Sequence, residues 1–153
     1  MLSASQLQRL QHQHESIAEI ISAADHSSIH LQPAPGKWSA HDNVAHLAKY
    51  QPVFIGRINS ILSENNPSFG RYKAEDDAEF EVWRKWKTSE LIKRSKSDRI
   101  VLVELISNLD DEQLKRKGLH PRFGNLTITG WAEFFLLHEA HHLFTIFQLI
   151  NVK

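Results

Sequence analysis

Apolar residues recur along the chain at helical spacing, and four stretches carry the pattern. From about Ser5 to Ala24, Leu7, Leu10, Ile17, Ile20 and Ile21 are separated by Gln, Glu and Arg, which predicts a first amphipathic helix. His12 and His14 fall among polar residues there and are expected to face solvent. A second helix is predicted from Ser39 to about Ser63. It opens on Ser39-Ala-His-Asp42, the form of a capping box in which a hydroxyl and a carboxylate each satisfy a free N–H, with Asp in place of the commoner Glu. Its apolar stripe is Val44, Leu47, Ile55, Ile58 and Leu62, and Pro52 is expected to bend it, because proline cannot donate to the preceding turn. A third helix is predicted from about Glu75 to Asn108, opening with Phe80, Val82, Trp83 and Trp86 and closing with Ile100, Val101, Leu102, Leu105 and Ile106. Its charged, Ser-rich middle, Lys87 to Arg99, is expected to be a solvated face. The last stretch, Thr127 to Ile150, is apolar on almost every side, as a long buried helix would be.

The connections are read from Pro, Gly and Asn. Two Pro and a Gly between Leu31 and Trp38 predict an extended segment; Glu64 to Lys73 predicts a loop; Leu109 to Leu126, with Gly118, Pro121 and Gly124, predicts a long connection. No stretch reads as a strand. The fold class expected is therefore all-α, a four-helix bundle. The link between the second and third helices is long: its ~14 residues, extended, reach about 45 Å, enough to return along a ~25-residue helix of about 38 Å. Those two helices could then run parallel.

Length and composition narrow the picture. The 153 residues are expected to form one domain, residues 1–153, with a single sizeable core. With 18 basic and 18 acidic residues the formal charge is zero, which argues against a nucleic-acid partner. There is no Cys, so any metal must be held by His, Asp or Glu. The N-terminus lacks the features of a signal peptide and no run approaches the ~20 apolar residues of a membrane span, so a cytoplasmic protein is expected.

The chemistry concentrates in the last helix, in His138-Glu-Ala-His141-His142. His138 and His142 are four apart, so they lie one turn above the other and can converge on one ion. His138 shares its stripe with Trp131, Phe135 and Leu149, which places these imidazoles among core side chains. The same spacing also suits ordinary core histidines bonded to backbone, and His138 with His141 is a second same-face pair. In the second helix, His46 lies roughly 120–140° from the apolar stripe, beside Asn43, Tyr50, Val53 and Arg57. Periodicity makes it a surface or cleft residue. Asn43 and Tyr50, each about one turn away, are candidate contacts of the ligands or of a substrate; Arg57, about three turns and some 16 Å along the axis, is expected to be a structural charge, and all three also suit an ordinary polar helix face.

Two passages then resemble one family. Gly36-Lys-Trp-Ser-Ala-His-Asp-Asn-Val-Ala-His46-Leu is similar to the Trp-Ser entry and His-Leu of the DinB-like four-helix-bundle proteins, and His138-Glu-Ala-His141-His142 to the His-x-x-His-His of their last helix. The likeness covers roughly residues 30 to 150. It implies an up-down-down-up bundle and three metal ligands, which carry over to His46, His138 and His142. It also implies a divalent ion, zinc or nickel, and a metal-dependent enzyme working on a small molecule by thiol-dependent S-transfer or hydrolysis. The alternative is a non-enzymatic bundle that holds metal or ligand. One departure stands out: the Arg-Gly-Gln or Leu-Arg-Gln that often follows His-His in the family is Leu143-Phe144-Thr145 here.

The last helix also predicts assembly. Leu136, Leu143, Phe147 and Ile150 fall roughly 120–180° from His138, so both sides are apolar, and one of them needs cover. The N-terminal or inter-helix loops could supply it. A homodimer with this helix near the interface is expected, in keeping with the dimers common in the family.

Overall fold

The central helix, α4 (Ala40–Ser63), starts where the capping box puts it. In the computed structural model, which describes residues 1–151, the Ser39 hydroxyl accepts from the Asp42 N–H at 3.1 Å and the Asp42 carboxylate from the Ser39 N–H at 2.9 Å. The box is buried, and Arg84 closes it by donating to the other Asp42 oxygen at 2.8 Å. Every residue from Ala40 to Gln51 is buried, so this half of α4 is the axis of the molecule. Pro52 lies inside the helix, directly after this buried run.

Around α4 stand three other helical arms, two of them interrupted. The first is α1 (Ala4–His12), a 3-10 turn over Gln13–Glu15, and α2 (Ser16–Ser22), in place of one continuous helix. A short helix, α3 (His26–His30), precedes the Leu31–Trp38 segment expected to be extended, which forms no helix or strand. The third expected helix is broken into α5 (Ala78–Trp83) and α6 (Thr88–Ser107). The break at Arg84–Lys87 lets the Trp83 and Trp86 rings stack at 4.9 Å, and α6 restarts on a cap made by Glu90. The charged middle of that arm is mostly solvated, as expected, except that Leu91, Ser95 and Arg99 are buried. After the short α7 (Asp111–Lys115) comes α8 (Ile128–Asn151).

Between α7 and α8 the expectation of no strand is corrected. Residues Lys117–His120 (β1) and Gly124–Thr127 (β2) pair antiparallel, with Lys117 opposite Thr127 and His120 opposite Gly124. Gly124 has φ +73°, the left-handed conformation that glycine adopts without strain, and it returns the chain. Gly118 is needed for space: a Cβ there would meet Ile61 and Phe69 side chains at 2.8 Å. The hairpin is tied down by Leu119, whose N–H donates to the Pro67 carbonyl at 2.8 Å and whose carbonyl accepts from Phe69 at 3.1 Å.

Contacts along the helices give their directions. His41 meets Thr88 and Gln51 meets Ser95, so α4 and α6 run parallel. Asn43 meets His142 while Phe54 stacks on Phe135 at 4.5 Å, so α8 runs antiparallel to both. Arg9 meets Glu133 and Gln13 meets Glu139, which makes α1 parallel to α8. The order is up, down, down, up: a four-helix bundle in which residues 64–87 carry the chain back along its length. Two apolar clusters fill it, one around Phe54, Trp131 and Phe135, the other around Val44, Phe80 and Ile146.

A buried polar clamp also ties the arms together. Arg99 of α6 donates to Gln51 of α4 at 2.9 Å, to the Leu10 carbonyl at 3.0 Å, and to Glu139 of α8. Gln13 donates to the second Glu139 oxygen at 2.9 Å. A buried ion pair holds its place when additional hydrogen bonds satisfy its remaining atoms, and here they do. Near it lies His14. Expected to face solvent, it is 7% exposed, because the turn at Gln13–Glu15 rotates it inward. Its Nδ1 has no partner among the described residues. Burial, together with the Arg99 charge, pushes its pKa down to about 4.

Leu136 and Leu143, part of the second apolar side of α8, are covered within the chain. Leu136 packs in a cluster with Leu10, and Leu143 in one with Ile17. What α8 leaves in solvent is Leu137, Phe144 and Phe147, each more than half exposed.

Candidate metal centre

Three of the chain's histidines meet where α4 and α8 cross. His46 comes from the second turn of α4; His138 and His142 are stacked one turn apart on α8. One ring nitrogen from each lies within 4.8 Å of the other two. His46 Nε2 and His138 Nε2 are 3.1 Å apart, and the ring centroids are separated by 4.5 to 5.1 Å. Two imidazoles held at about 2.1 Å by a tetrahedral ion have nitrogens roughly 3.4 Å apart, so the spacing fits a small divalent cation. His46 owes its position to the cap: α4 is buried from its first residue, so a position off the apolar stripe still faces protein.

The environment keeps the three rings neutral. Burial is the main cause in each case, reinforced by neighbouring cationic groups. His46 is pushed down to about 2 by burial and then by His142 and His138; His142 to about 3 by burial, His138 and His141; His138 to about 4 by burial, His141 and Arg57. A metal ligand must be an unprotonated imidazole, and these are unprotonated near neutral pH.

One ring is oriented from outside. His142 Nδ1–H donates to Asn43 Oδ1 at 2.8 Å, and Asn43 Nδ2 donates to the Ser39 carbonyl at 2.8 Å. The cap residue thus fixes the Asn amide, the amide fixes the tautomer, and Nε2 is left to bind. Asn43 was a candidate for this kind of contact. The Nδ1 atoms of His46 and His138 are buried with no partner among the described residues. They lie on the far side of each ring from the Nε2 atoms that face one another, and it is these facing nitrogens, with Nε2 of His142, that form a donor set a small cation would fit. Among the described residues no carboxylate belongs to it, so three protein ligands would leave coordination open, as in catalytic sites. His141, the other same-face candidate, is exposed and stands outside the cluster, with its ring 5.3 Å from His142. His12 is exposed, as expected.

The cluster forms part of the wall of a cavity of about 590 Å³. Trp38, Tyr50, Tyr72 and Phe134 supply aromatic walls, and the hairpin contributes His120 to Phe123. Tyr50 is a direct contact of the centre, its ring 4.5 Å from that of His138. Tyr72 donates to Asp77 at 3.0 Å; burial and that carboxylate raise its pKa, so it stays protonated. Arg57, expected to be a structural charge, makes bonds of that kind and also lines the cavity. Its guanidinium donates to the Tyr50 hydroxyl at 3.1 Å and to the Gly70 carbonyl at 2.9 Å. Side chains on a helix lean toward its N-terminus, so an arginine three turns on leans back toward the centre. Eleven residues separate it from His46, a rotation of only ~20° from the same face, which was the readable signal. Tyr72, Arg71 and Arg122 lie off the helices, and no periodic signal marks them.

Comparisons with known proteins agree with this architecture. A family model described as the DinB superfamily matches residues 6–146. No curated protein matches the chain. Among solved structures, the chain is similar to YfiT from Bacillus subtilis, described as a probable metal-dependent hydrolase with an unusual four-helix bundle topology. The TM-score is 0.82 at 21% identity, over 97% of this chain and 88% of that one. It is also similar to TT2238, a four-helix bundle protein (0.62, 19%, over 93% and 95%), and to the DinB-like protein YjoA of Bacillus subtilis (0.60, 18%, over 96% and 90%). At these identities the likeness shows the fold.

Proposed function

The chain belongs to the DinB superfamily, and from that premise we propose a metal-dependent enzyme of small-molecule chemistry, with His46, His138 and His142 as ligands of a zinc or nickel ion. One observation carries the reading: three neutral imidazole nitrogens within 4.8 Å of one another at the wall of a cavity of about 590 Å³. That volume is in the range of small-molecule sites, which run from roughly 300 to 1,000 Å³. A divalent ion there supplies Lewis-acid activation of a nucleophile or of an electrophilic oxygen. The reaction is hydrolysis or transfer of a low-molecular-weight thiol to an electrophile. YfiT, with its description as a metal-dependent hydrolase, supports the first; the thiol arm rests on the family resemblance. In either case Asn43 keeps the His142 tautomer, and Tyr50 and Trp38 confine the substrate beside the rings. A reduced thiol cosubstrate belongs to the cytoplasm, so the proposal places the enzyme there.

Metal analysis of untagged protein is the test, followed by screens of ester and amide hydrolysis and of thiol conjugation. About one ion per chain in the wild type is expected, with most of it lost in His46→Ala, His138→Ala and His142→Ala and little lost in His141→Ala. Equal metal content in all of them rejects the ligand set. A bound ion with no turnover in any screen favours the non-enzymatic bundle instead.

The exposed Leu137, Phe144 and Phe147 extend the proposal to a homodimer built on α8. Contiguous apolar patches are uncommon on monomers, and a two-fold pairing covers them. Sedimentation velocity should show a dimer that Phe144→Asp weakens. A monomeric wild type rejects it.

A further inference from the structure

The cavity is electrically lopsided in a chain whose total charge is balanced. Arg57, Arg71, Lys73 and Arg122 line it, against one carboxylate, Glu75. Lys73 is partly answered by Asp76 at 3.6 Å, an exposed pair. The arginines are not answered in this way. Elsewhere in the chain Arg9 pairs with Glu133, Arg84 with Asp42, Arg94 with Asp98 and Arg99 with Glu139, while Arg116 donates to the carbonyls of Ile61 and Glu64. Among the described residues four arginines have no carboxylate partner: Arg116, whose guanidinium is taken up by two backbone carbonyls, and the three around the cavity.

Their placement is convergent. Arg57 rises from α4, Arg71 from the segment after it, and Arg122 from the turn of the β1–β2 hairpin. Three separate parts of the fold thus bring guanidinium groups to one opening. Arg57 is the anchored member, held by the Tyr50 hydroxyl and the Gly70 carbonyl and lying 5.5 Å from the Phe69 and Trp131 ring centroids. A guanidinium has five N–H donors, and these two bonds leave it capacity to spare. Arg71 and Arg122 are exposed, and among the described residues their side chains donate to no protein acceptor, although Arg122 lies over the Phe123 ring at 5.6 Å. Tyr50 joins this basic end to the other, with its hydroxyl on Arg57 and its ring against His138.

We propose that the cavity selects a small molecule bearing an oxyanion, a carboxylate or phosphate, which Arg57, Arg71 and Arg122 hold while a flat apolar body lies along Tyr50, Tyr72 and Phe134 toward the three histidines. Planar guanidinium forks match such oxygens in paired hydrogen bonds, and aromatic walls favour a flat body. The proposal rests on the reading of this cavity as the substrate site.

Calorimetric titration of protein stripped of metal and dialysed free of chelator separates the two ideas, since no ion is then present to bind an oxyanion. The probes are phenyl phosphate and phenylacetate, with 2-phenylethanol as the neutral counterpart and 2-phenylethylamine as the cationic one. At least one anion should bind 10-fold or more tightly than the alcohol, the amine should bind most weakly, and the better anion tells phosphate from carboxylate. The double variant Arg71→Gln/Arg122→Gln, which removes no ion pair and only the exposed stacking of Arg122 on Phe123, should weaken the anion about 10-fold and the alcohol little. It should also bind metal as the wild type does. Anions that bind no better than the alcohol, or a double variant that binds them equally well, overturn the proposal. Loss of metal binding is read separately, in the histidine variants, so the site reading can fail while anion selection stands, and the reverse.

Discussion

His14 should make the stability of this protein depend on pH in a way that one substitution removes. In the unfolded chain its pKa is near 6.5; in the fold, burial and Arg99 hold it at about 4. Between those values the unfolded state binds the proton and the folded state does not, so stability is intact above pH 6.5 and falls as pH drops toward 4. At pH 5.5 the loss comes to about 1.4 kcal/mol, and below pH 4 to roughly 3 kcal/mol as an upper figure. Urea unfolding of wild type and His14→Leu at pH 7.5 and pH 5.5 measures it. The three clustered imidazoles also titrate at low pH, but both proteins carry them, so the difference of differences isolates His14. Leu has a similar volume and no unpartnered nitrogen, so it should be tolerated at pH 7.5. The variant should gain about 1.4 kcal/mol on the wild type between the two pH values. Equal changes in both would mean that His14 is solvated or protonated in the fold, and the argument from its burial would be wrong.

Three further outcomes follow. Asn43→Ala should keep the fold but weaken metal binding about 10- to 100-fold, because His142 loses the acceptor that sets its tautomer; competition with a fluorescent chelator reads this. Glu139→Ala should cost about 3–5 kcal/mol in urea unfolding by stranding the Arg99 charge, whereas Arg99→Met with Glu139→Leu should cost far less or stabilise. Gly118→Ala should lower stability by about 1–3 kcal/mol, since its Cβ has to push Ile61 and Phe69 aside; an unchanged denaturation midpoint would show that the hairpin gives way freely.

What could be read from the sequence was whatever local geometry decides. Ser39 and Asp42 start α4 through bonds three residues long, and the apolar run of α8 reads as buried because it is. The bundle topology was legible through chain length and family resemblance together. The hairpin was not, since β1 and β2 are four residues each and are held by Pro67, Phe69 and Trp131, which are remote in sequence or outside any strand pattern. The break before α6 and the inward turn of His14 are likewise tertiary choices: two stacked tryptophans in one case, a 3-10 turn in the other. At the centre, periodicity placed His46 on a cleft-facing side, and the resemblance joined it to His138 and His142, which the fold brings into contact. The basic mouth escaped notice because two of its three arginines stand on irregular segments.

The clamp of Arg99, Gln51 and Glu139 has a consequence for how this scaffold could be rebuilt. Glu139 lies a quarter turn round α8 from the histidine pair, and Gln51 well round α4 from His46, so the groups that lock the two helices in register are not the groups that face the cavity. Alignment and chemistry are carried by separate side chains of the same helices. The histidine positions can therefore be rewritten, with carboxylates for a harder ion or with apolar residues for none, while the clamp keeps the frame in register. A one-residue insertion between Ile128 and His138 would do the opposite: it would leave every functional side chain in the sequence and turn His138, Glu139 and His142 about 100° away from their partners on the other helices.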